Sequence, residues 1–229
     1  GIFNHDISNI FNRISNSMEI CQNHLSKGLN IEKCLESFEL IRKQLTRGKK
    51  LIKNIRNLSE IEESEMPLKP VNVSENLQNA IKFLRANYQK REIQINIQSP
   101  SDSIYVLANE LLLDVFENLL LNAVEYNKQP IVKIQIIISK VLREAKVYVK
   151  FEFKDNGIGI EKDKKELIFQ KTINQNSQIT GRGLGLSLVA KFIDLCNGKI
   201  WVENRIMNDS TKGSNFIILI EESKEEQST

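Results

Sequence analysis

Between Asn109 and Tyr126 lies a helix-length run in which Leu111, Leu112, Val115, Phe116, Leu119, Leu120, Ala123 and Val124 leave almost no polar face. A helix apolar nearly all round must be largely buried, so the rest of the chain has to build a core around it. With 41% hydrophobic residues in 229, the chain can do so. The exceptions within the run are Glu117, Asn118 and Asn122. Asn118 and Asn122 are one turn apart and project from the same face. Two amide oxygens at that spacing can bind a hard cation such as Mg²⁺, with phosphate oxygens completing its shell. The plainer alternative is a pair of ordinary polar helix residues, against which stands the need of buried amides for partners.

The segments around this helix read as strands and helices. Val71 to Val73 suggests a short strand, and Ser74 can cap a helix through about Lys90 that carries Leu77, Ile81, Leu84 and Tyr88 on one face. Ile93, Ile95 and Ile97 alternate as a strand, Ile104 to Leu107 is another, and paired strands are expected near Ile131 to Val141 and Val147 to Phe153. The last of these, with Val147, Val149, Phe151 and Phe153 on one face, runs directly into Asp155-Asn156-Gly157-Ile158-Gly159. Asp155 therefore stands where a strand leaves its sheet, a common place for a side chain that reads a ligand. Gly157 and Gly159 let the backbone take positive φ and come close to whatever Asp155 holds. Taken alone, this is a weak signal that an ordinary strand-to-loop turn would also give.

Glu161 to Ile179 is polar, pinned only by Ile168, Phe169 and Ile173, and reads as a mobile lid. Gly181-Arg182-Gly183-Leu184-Gly185-Leu186 then opens an apolar helix over Ser187 to Cys196. A glycine-rich turn at a helix start presents free N–H groups to an anion such as a phosphate. No strand leads straight into it, so it is not a dinucleotide-binding fingerprint of the Rossmann type. Gly198 is expected to end the helix. Strands over Lys199 to Val202 and Asn215 to Ile220 follow, with a charged, frayed tail from Glu221.

The first 66 residues differ in kind. Ile7, Phe11, Ile14, Met18, Cys21 and Leu25 are spaced 4, 3, 4, 3, 4, a heptad seam on one helix. Gly28 and Asn30 break it, and Leu35, Phe38, Ile41, Leu45, Ile52, Ile55, Leu58 and Ile61 carry a second stripe. Two helices joined by so short a turn form an antiparallel hairpin. One hairpin leaves much of each stripe wet, so two copies are expected to pair as a four-helix bundle, making the protein a homodimer. His5 precedes the seam by two residues, about 200° round the helix from Ile7, and should face water. Asp6 is its neighbour and Asn9 lies one turn on. An exposed imidazole beside a carboxylate can act as a nucleophile, or be a solvated histidine that does nothing. Cys21 and Cys34 are almost equidistant from the turn and read as small buried core residues. His24 reads as a surface residue near a helix C-terminus.

Met66-Pro67-Leu68-Lys69-Pro70 breaks the pattern and divides the chain into segments 1–66 and 67–229. A net charge of +3 and the lack of a basic patch interleaved with aromatics argue against nucleic acid as a partner. The three cysteines and two histidines show no metal or disulfide spacing. No apolar run is long enough to span a bilayer. The chain begins at Gly1 without an initiator Met, so any sensor domain or membrane anchor is expected upstream, and this portion in the cytoplasm.

A twin-asparagine helix, a strand ending in Asp-x-Gly-x-Gly, a polar lid and a Gly-x-Gly-x-Gly helix start occur here in that order. Together they resemble the ATP-binding domain of sensor histidine kinases, within the wider family that includes gyrase, Hsp90 and MutL. Asn118 and Asn122 match the N box, Asp155 to Gly159 the first glycine box, Phe169 the F box, and Gly181, Arg182, Gly183, Leu184 and Gly185 the second glycine box. Lys212 to Phe216 looks like the last glycine-containing strand entry. The resemblance implies an α+β chain: an antiparallel helical hairpin followed by a Bergerat-type α/β sandwich. It implies that Asp155 reads the adenine amino group, that Asn122 binds Mg²⁺ and that Tyr126 lies against the adenine.

His5-Asp6-Ile7-Ser8-Asn9 is similar to the H box. By that resemblance His5 accepts the γ-phosphoryl group of Mg-ATP, Asp6 assists as base, and the group passes to an aspartate on a response regulator's receiver domain. Asn9 matches the position that helps water dephosphorylate the regulator. The chain departs from the commonest pattern at Ser8-Asn9-Ile10, where Arg-Thr-Pro is usual. It departs again at Glu125, where many members carry Lys or Arg near the phosphates; Lys128 and Arg182 are the substitutes to weigh. Rival readings are a dimeric nucleotide-sensing scaffold without turnover and a gyrase-like ATPase, which would not need the hairpin.

Overall fold

The computed structural model describes residues 2–26, 30–63, 66–170 and 184–224, with the backbone alone for 2–6. The described chain divides into two units, one of residues up to Ser59 together with Leu184, the other of Glu60–Gln170 and the residues from Gly185 on.

The first unit is the hairpin. Helix α1 spans Ile2–Ser26 and α2 spans Ile31–Glu63. Asn30 caps α2, its Oδ1 accepting from the Lys33 N–H at 3.0 Å. The seam between the two helices follows the expected stripes only in part: Cys21 and Leu58 are buried and Ile7, Ile14 and Ile41 half-buried, but several other members face out. It buries Ile10, Ser17 and Cys21 of α1 and Cys34, Ser37, Gln44 and Leu51 of α2. Phe11, Met18 and Leu25, on the expected stripe, are 62%, 52% and 53% exposed. Small and polar side chains let two helices approach closely, while the bulky apolar residues stand one position further round and remain uncovered within one chain. Cys21 and Cys34 are buried free thiols, as expected, and the Cys34 Sγ–H donates to the Cys21 carbonyl at 3.7 Å.

The second unit is built on seven strands in the order β1-β3-β7-β5-β4-β2, with β6 also paired to β7. The strands are β1 Lys69–Asn72, β2 Glu92–Gln98, β3 Tyr105–Ala108, β4 Ile131–Arg143, β5 Lys146–Asp155, β6 Lys199–Ile206 and β7 Asp209–Ser223. Only β2 and β4 pair in parallel; the other pairs are antiparallel. The helices are α3 Val73–Asn87, α4 Leu111–Glu125, the single-turn α5 Leu167–Gln170 and α6 Leu184–Leu195. Val132, Ile134, Ile136 and Ile138 of β4, with Val149, Phe151 and Phe153 of β5, form an apolar face of the sheet. Helix α4 sits in the core, with Leu112, Val115, Phe116 and Leu120 fully buried. The Phe116 ring lies 5.5 Å from Phe151 and 5.8 Å from Phe153.

Three local expectations are corrected. Asn72, not Ser74, caps α3, accepting from the Glu75 N–H at 3.0 Å, while the Ser74 hydroxyl donates to the Asp102 carbonyl. Glu221 to Ser223 is strand rather than frayed tail, because Glu222 and Ser223 pair with β3 and Lys146 holds Glu221 at 2.8 Å. Asn197, not Gly198, takes the left-handed turn after α6, with φ of 51°. Gly198 stays side-chain-free because a Cβ there would lie 2.3 Å from the Leu219 carbonyl oxygen.

Candidate functional site

Helix α4 carries the first part of the site. Asn118 is buried and Asn122 half-buried, and each has an amide nitrogen that is shielded from water and meets no partner among the described residues. An unmet buried amide costs about 1–3 kcal/mol. A helix otherwise mostly buried tolerates it where a ligand supplies the missing bonds. Gly185, in the first turn of α6, comes against Asn118 so closely that a Cβ would lie 2.8 Å from its Oδ1. Glycine there lets α6 begin directly beside Asn118.

Asp155 at the end of β5 forms the second part. It is 6% exposed, and burial lifts its carboxyl to about 6; the N–H groups of Gly157 and Ser214, then the charge of Arg205, oppose the rise. The Gly157 N–H donates to Oδ1 at 2.7 Å. A side chain at Gly157 would put a Cβ 2.6 Å from the Tyr126 carbonyl oxygen, so the turn passes flush against the end of α4. Gly159 holds φ of 71° and would drive a Cβ into the Ser210 carbonyl. The result is a buried carboxylate raised to about 6, carried at a glycine turn that packs against the end of the helix bearing the two asparagines.

Residues 107–224 match the family described as histidine kinase-, DNA gyrase B- and HSP90-like ATPase. The chain belongs to that family. Its relatives place it among the histidine kinases and identify it as a sensor histidine kinase catalytic core. It is 31% identical to the adaptive-response sensory kinase SasA of Synechocystis sp. over 76% of this chain and 45% of that protein. It is 25% identical to the phytochrome-like protein Cph1 of Synechocystis sp. over 92% of this chain and 27% of that protein. The chain thus spans less than half of either relative. Among solved structures, the nucleotide-free catalytic domain of the histidine kinase ThkA is similar at 28% identity and a TM-score of 0.56, over 68% of this chain and 96% of that one. The histidine kinase AdeS of Acinetobacter baumannii shares the fold over 96% of this chain and 98% of that one, with a TM-score of 0.67 at 17% identity.

Within this histidine kinase core, the remaining expected residues fall in different places. Tyr126 caps α4 and is 39% exposed, with its carbonyl accepting from the Ile158 N–H at 3.0 Å. Leu184 and Gly185 open α6. Gly181, Arg182, Gly183 and Ile173 lie outside the described residues. Ile168 and Phe169 pack on the core, and the Phe169 ring meets Phe216 edge-on at 6.2 Å. His5 and Asp6 lie in α1, with their side chains outside what is described, and Asn9 is half-buried in the same helix.

Glu125 does not face the phosphate side as a free acid: its Oε1 accepts from the Tyr88 hydroxyl at 3.1 Å. Burial and the Glu125 carboxylate push the Tyr88 phenol above its ordinary range. Sequence reasoning missed Ser214 and Arg205 as neighbours of Asp155, because strand pairing and not chain order brings them there. It also passed over Asn127, which is buried directly after Tyr126.

Proposed function

We propose that this histidine kinase core transfers the γ-phosphoryl group of ATP to His5 and then to an aspartate of a response regulator's receiver domain. The observation that supports the nucleotide reading is that the amide nitrogens of Asn118 and Asn122, donors that phosphate oxygens can accept from, meet no partner among the described residues on a mostly buried helix. The Asn122 side chain would hold Mg²⁺, which when bound neutralises phosphate charge; oxygen-rich amide and phosphate donors suit so hard a cation. Asp155 accepts the adenine amino N–H, Tyr126 covers the ring, and the N–H groups at the start of α6 receive phosphate oxygens.

At the hairpin, an imidazole nitrogen of His5 attacks the γ-phosphorus. A P–N bond forms, the bond from that phosphorus to the bridging oxygen breaks, ADP departs, and Asp6 takes the imidazole proton. The uncovered Phe11, Met18, Leu25, Phe38 and Leu45 support pairing with a second copy as a four-helix bundle. Receiver transfer is supported by ThkA, whose structure was solved in complex with the response regulator protein TrrA. Among the described residues no helix is long and apolar enough to cross a membrane, and the reading places this portion in the cytoplasm, where ATP is.

The test is incubation with γ-labelled ATP and Mg²⁺. Acid-labile, base-stable label on the wild type and none on His5→Gln is expected. Label retained by His5→Gln would defeat His5 as the acceptor and with it this reading, whereas steady phosphate release with no phosphoprotein would favour a plain ATPase.

A further inference from the structure

The residue that follows Asp155 is tied down more thoroughly than a turn requires. Asn156 Oδ1 accepts from the Asn127 Nδ2–H at 2.8 Å and from the Lys133 backbone N–H at 2.7 Å. Its Nδ2 donates to the Ile131 carbonyl at 3.0 Å, and its backbone N–H to the Lys133 carbonyl at 3.2 Å. Asn127 in turn accepts from the Gln129 N–H at 2.9 Å. Arg91, from the turn after α3, donates to the carbonyls of Asn127 at 2.9 Å and Gln129 at 3.2 Å. With the Ile158 N–H on the Tyr126 carbonyl, these bonds strap the exit of α4 and the start of β4 to the turn that directly follows Asp155.

We infer that Asn127 and Asn156 form a positioning clasp that sets Asp155 at a fixed reach from Asn122, and so determines which purine the site accepts. The inference rests on the nucleotide reading above. Adenine presents an amino donor to a carboxylate, whereas guanine presents a carbonyl oxygen at the equivalent edge, which the carboxylate repels. Discrimination of this kind depends on holding the buried polar group in one place, because a carboxylate free to swing away stops penalising the wrong base. Neither asparagine touches the base. They act through the backbone that carries Asp155 and through the end of the helix that carries Asn122. A turn built only for stability would need the backbone pairs alone; the side-chain bond between Asn127 and Asn156 adds a tie from the metal-side helix to the base-side loop.

The experiment measures dissociation constants for ATP and GTP, each with Mg²⁺, on the whole chain and on Asn127→Ala, Asn156→Ala and the double variant, by displacement of a fluorescent nucleotide. Thermal unfolding is followed in parallel. The wild type should prefer ATP. Each single variant should lose about tenfold of that preference, the size of one lost hydrogen bond in a buried network, and the double variant should lose little more than either alone. A lowered unfolding temperature with an unchanged ATP-to-GTP ratio would show a purely structural strap and overturn the inference. So would losses that multiply in the double variant. A wild type that binds neither nucleotide would bring down the nucleotide reading itself, a distinct result. Should Asn156→Ala fail to fold, Asn127→Ala and amide exchange at Ile158 carry the test, faster exchange being expected on loss of the clasp and unchanged exchange overturning it.

Discussion

Helices α2 and α4 each bury amide side chains with an atom that meets no partner among the described residues, in surroundings that could hardly differ more. On α4 the amides are Asn118 and Asn122, and the large apolar side chains around them are covered. On α2 they are Gln44, Asn54 and Asn57, while Phe38, Leu45 and Ile52 on the same helix are 59%, 51% and 57% exposed. An orphan amide inside a finished core points to a small polar ligand. Beside an unfinished core, it belongs to a surface still awaiting a partner. The same buried polar signal has to be read against how complete the packing around it is.

Phe116→Ala should break this contrast most severely. Removing a fully buried ring that packs on Phe151 and Phe153 should lower the unfolding free energy of the ATPase unit by about 3–5 kcal/mol, measured by urea denaturation and independent of protein concentration. In the hairpin the corresponding change is Phe38→Asp. If this face stayed wet, the effect on stability would be within about 0.5 kcal/mol. Covered by a second copy, it should convert a dimer to a monomer by light scattering; a dimeric mass for the variant, or a monomeric wild type at micromolar concentration, would refute the pairing.

Asn122→Ala sharpens the other side of the comparison. Mg-ATP affinity should fall by tenfold or more, roughly one hydrogen bond to a charged group. The unfolding free energy in the absence of nucleotide should not fall and should rise by up to about 1 kcal/mol, since an amide nitrogen with no partner among the described residues is removed. Calorimetric titration with and without Mg²⁺ checks this, and equal affinity would sink the metal assignment.

The smallest effect is the titration of Asp155. Its carboxyl stands near 6 in the fold against an ordinary 3.8, so the folded state favours the protonated form. Its contribution to stability is therefore full at low pH and declines as pH rises from about 4 through 6. Adenine needs the carboxylate, so ATP affinity should weaken as pH drops below about 6 while this group's contribution to stability improves. Opposite trends in nucleotide titrations and in the difference between wild type and Asp155→Asn unfolding, taken from pH 7 to 5, test this pairing.

Much of this was readable in one dimension because its physics is local. The apolar run of α4 demands burial wherever it lies, alternation marks β5, and glycines at 157, 159 and 185 mark close backbone approach. The turn at Asn30 and the heptad spacing announce a hairpin, and the order of motifs announces the ATPase family. Tertiary packing decided the rest, because it depends on residues far apart in the chain. Which face of each hairpin helix turned inward followed from small and polar side chains permitting a close approach, so Ile10, Ser17 and Cys34 were chosen over the larger stripe. Pairing of β7 with both β5 and β6 brought Ser214 and Arg205 to Asp155, Tyr88 drew Glu125 to the end of α3, and Asn127 met Asn156 across the glycine turn. Periodicity and spacing report what each segment must bury or leave free. Which distant polar partner satisfies a buried group is settled only when the sheet and helices close around it.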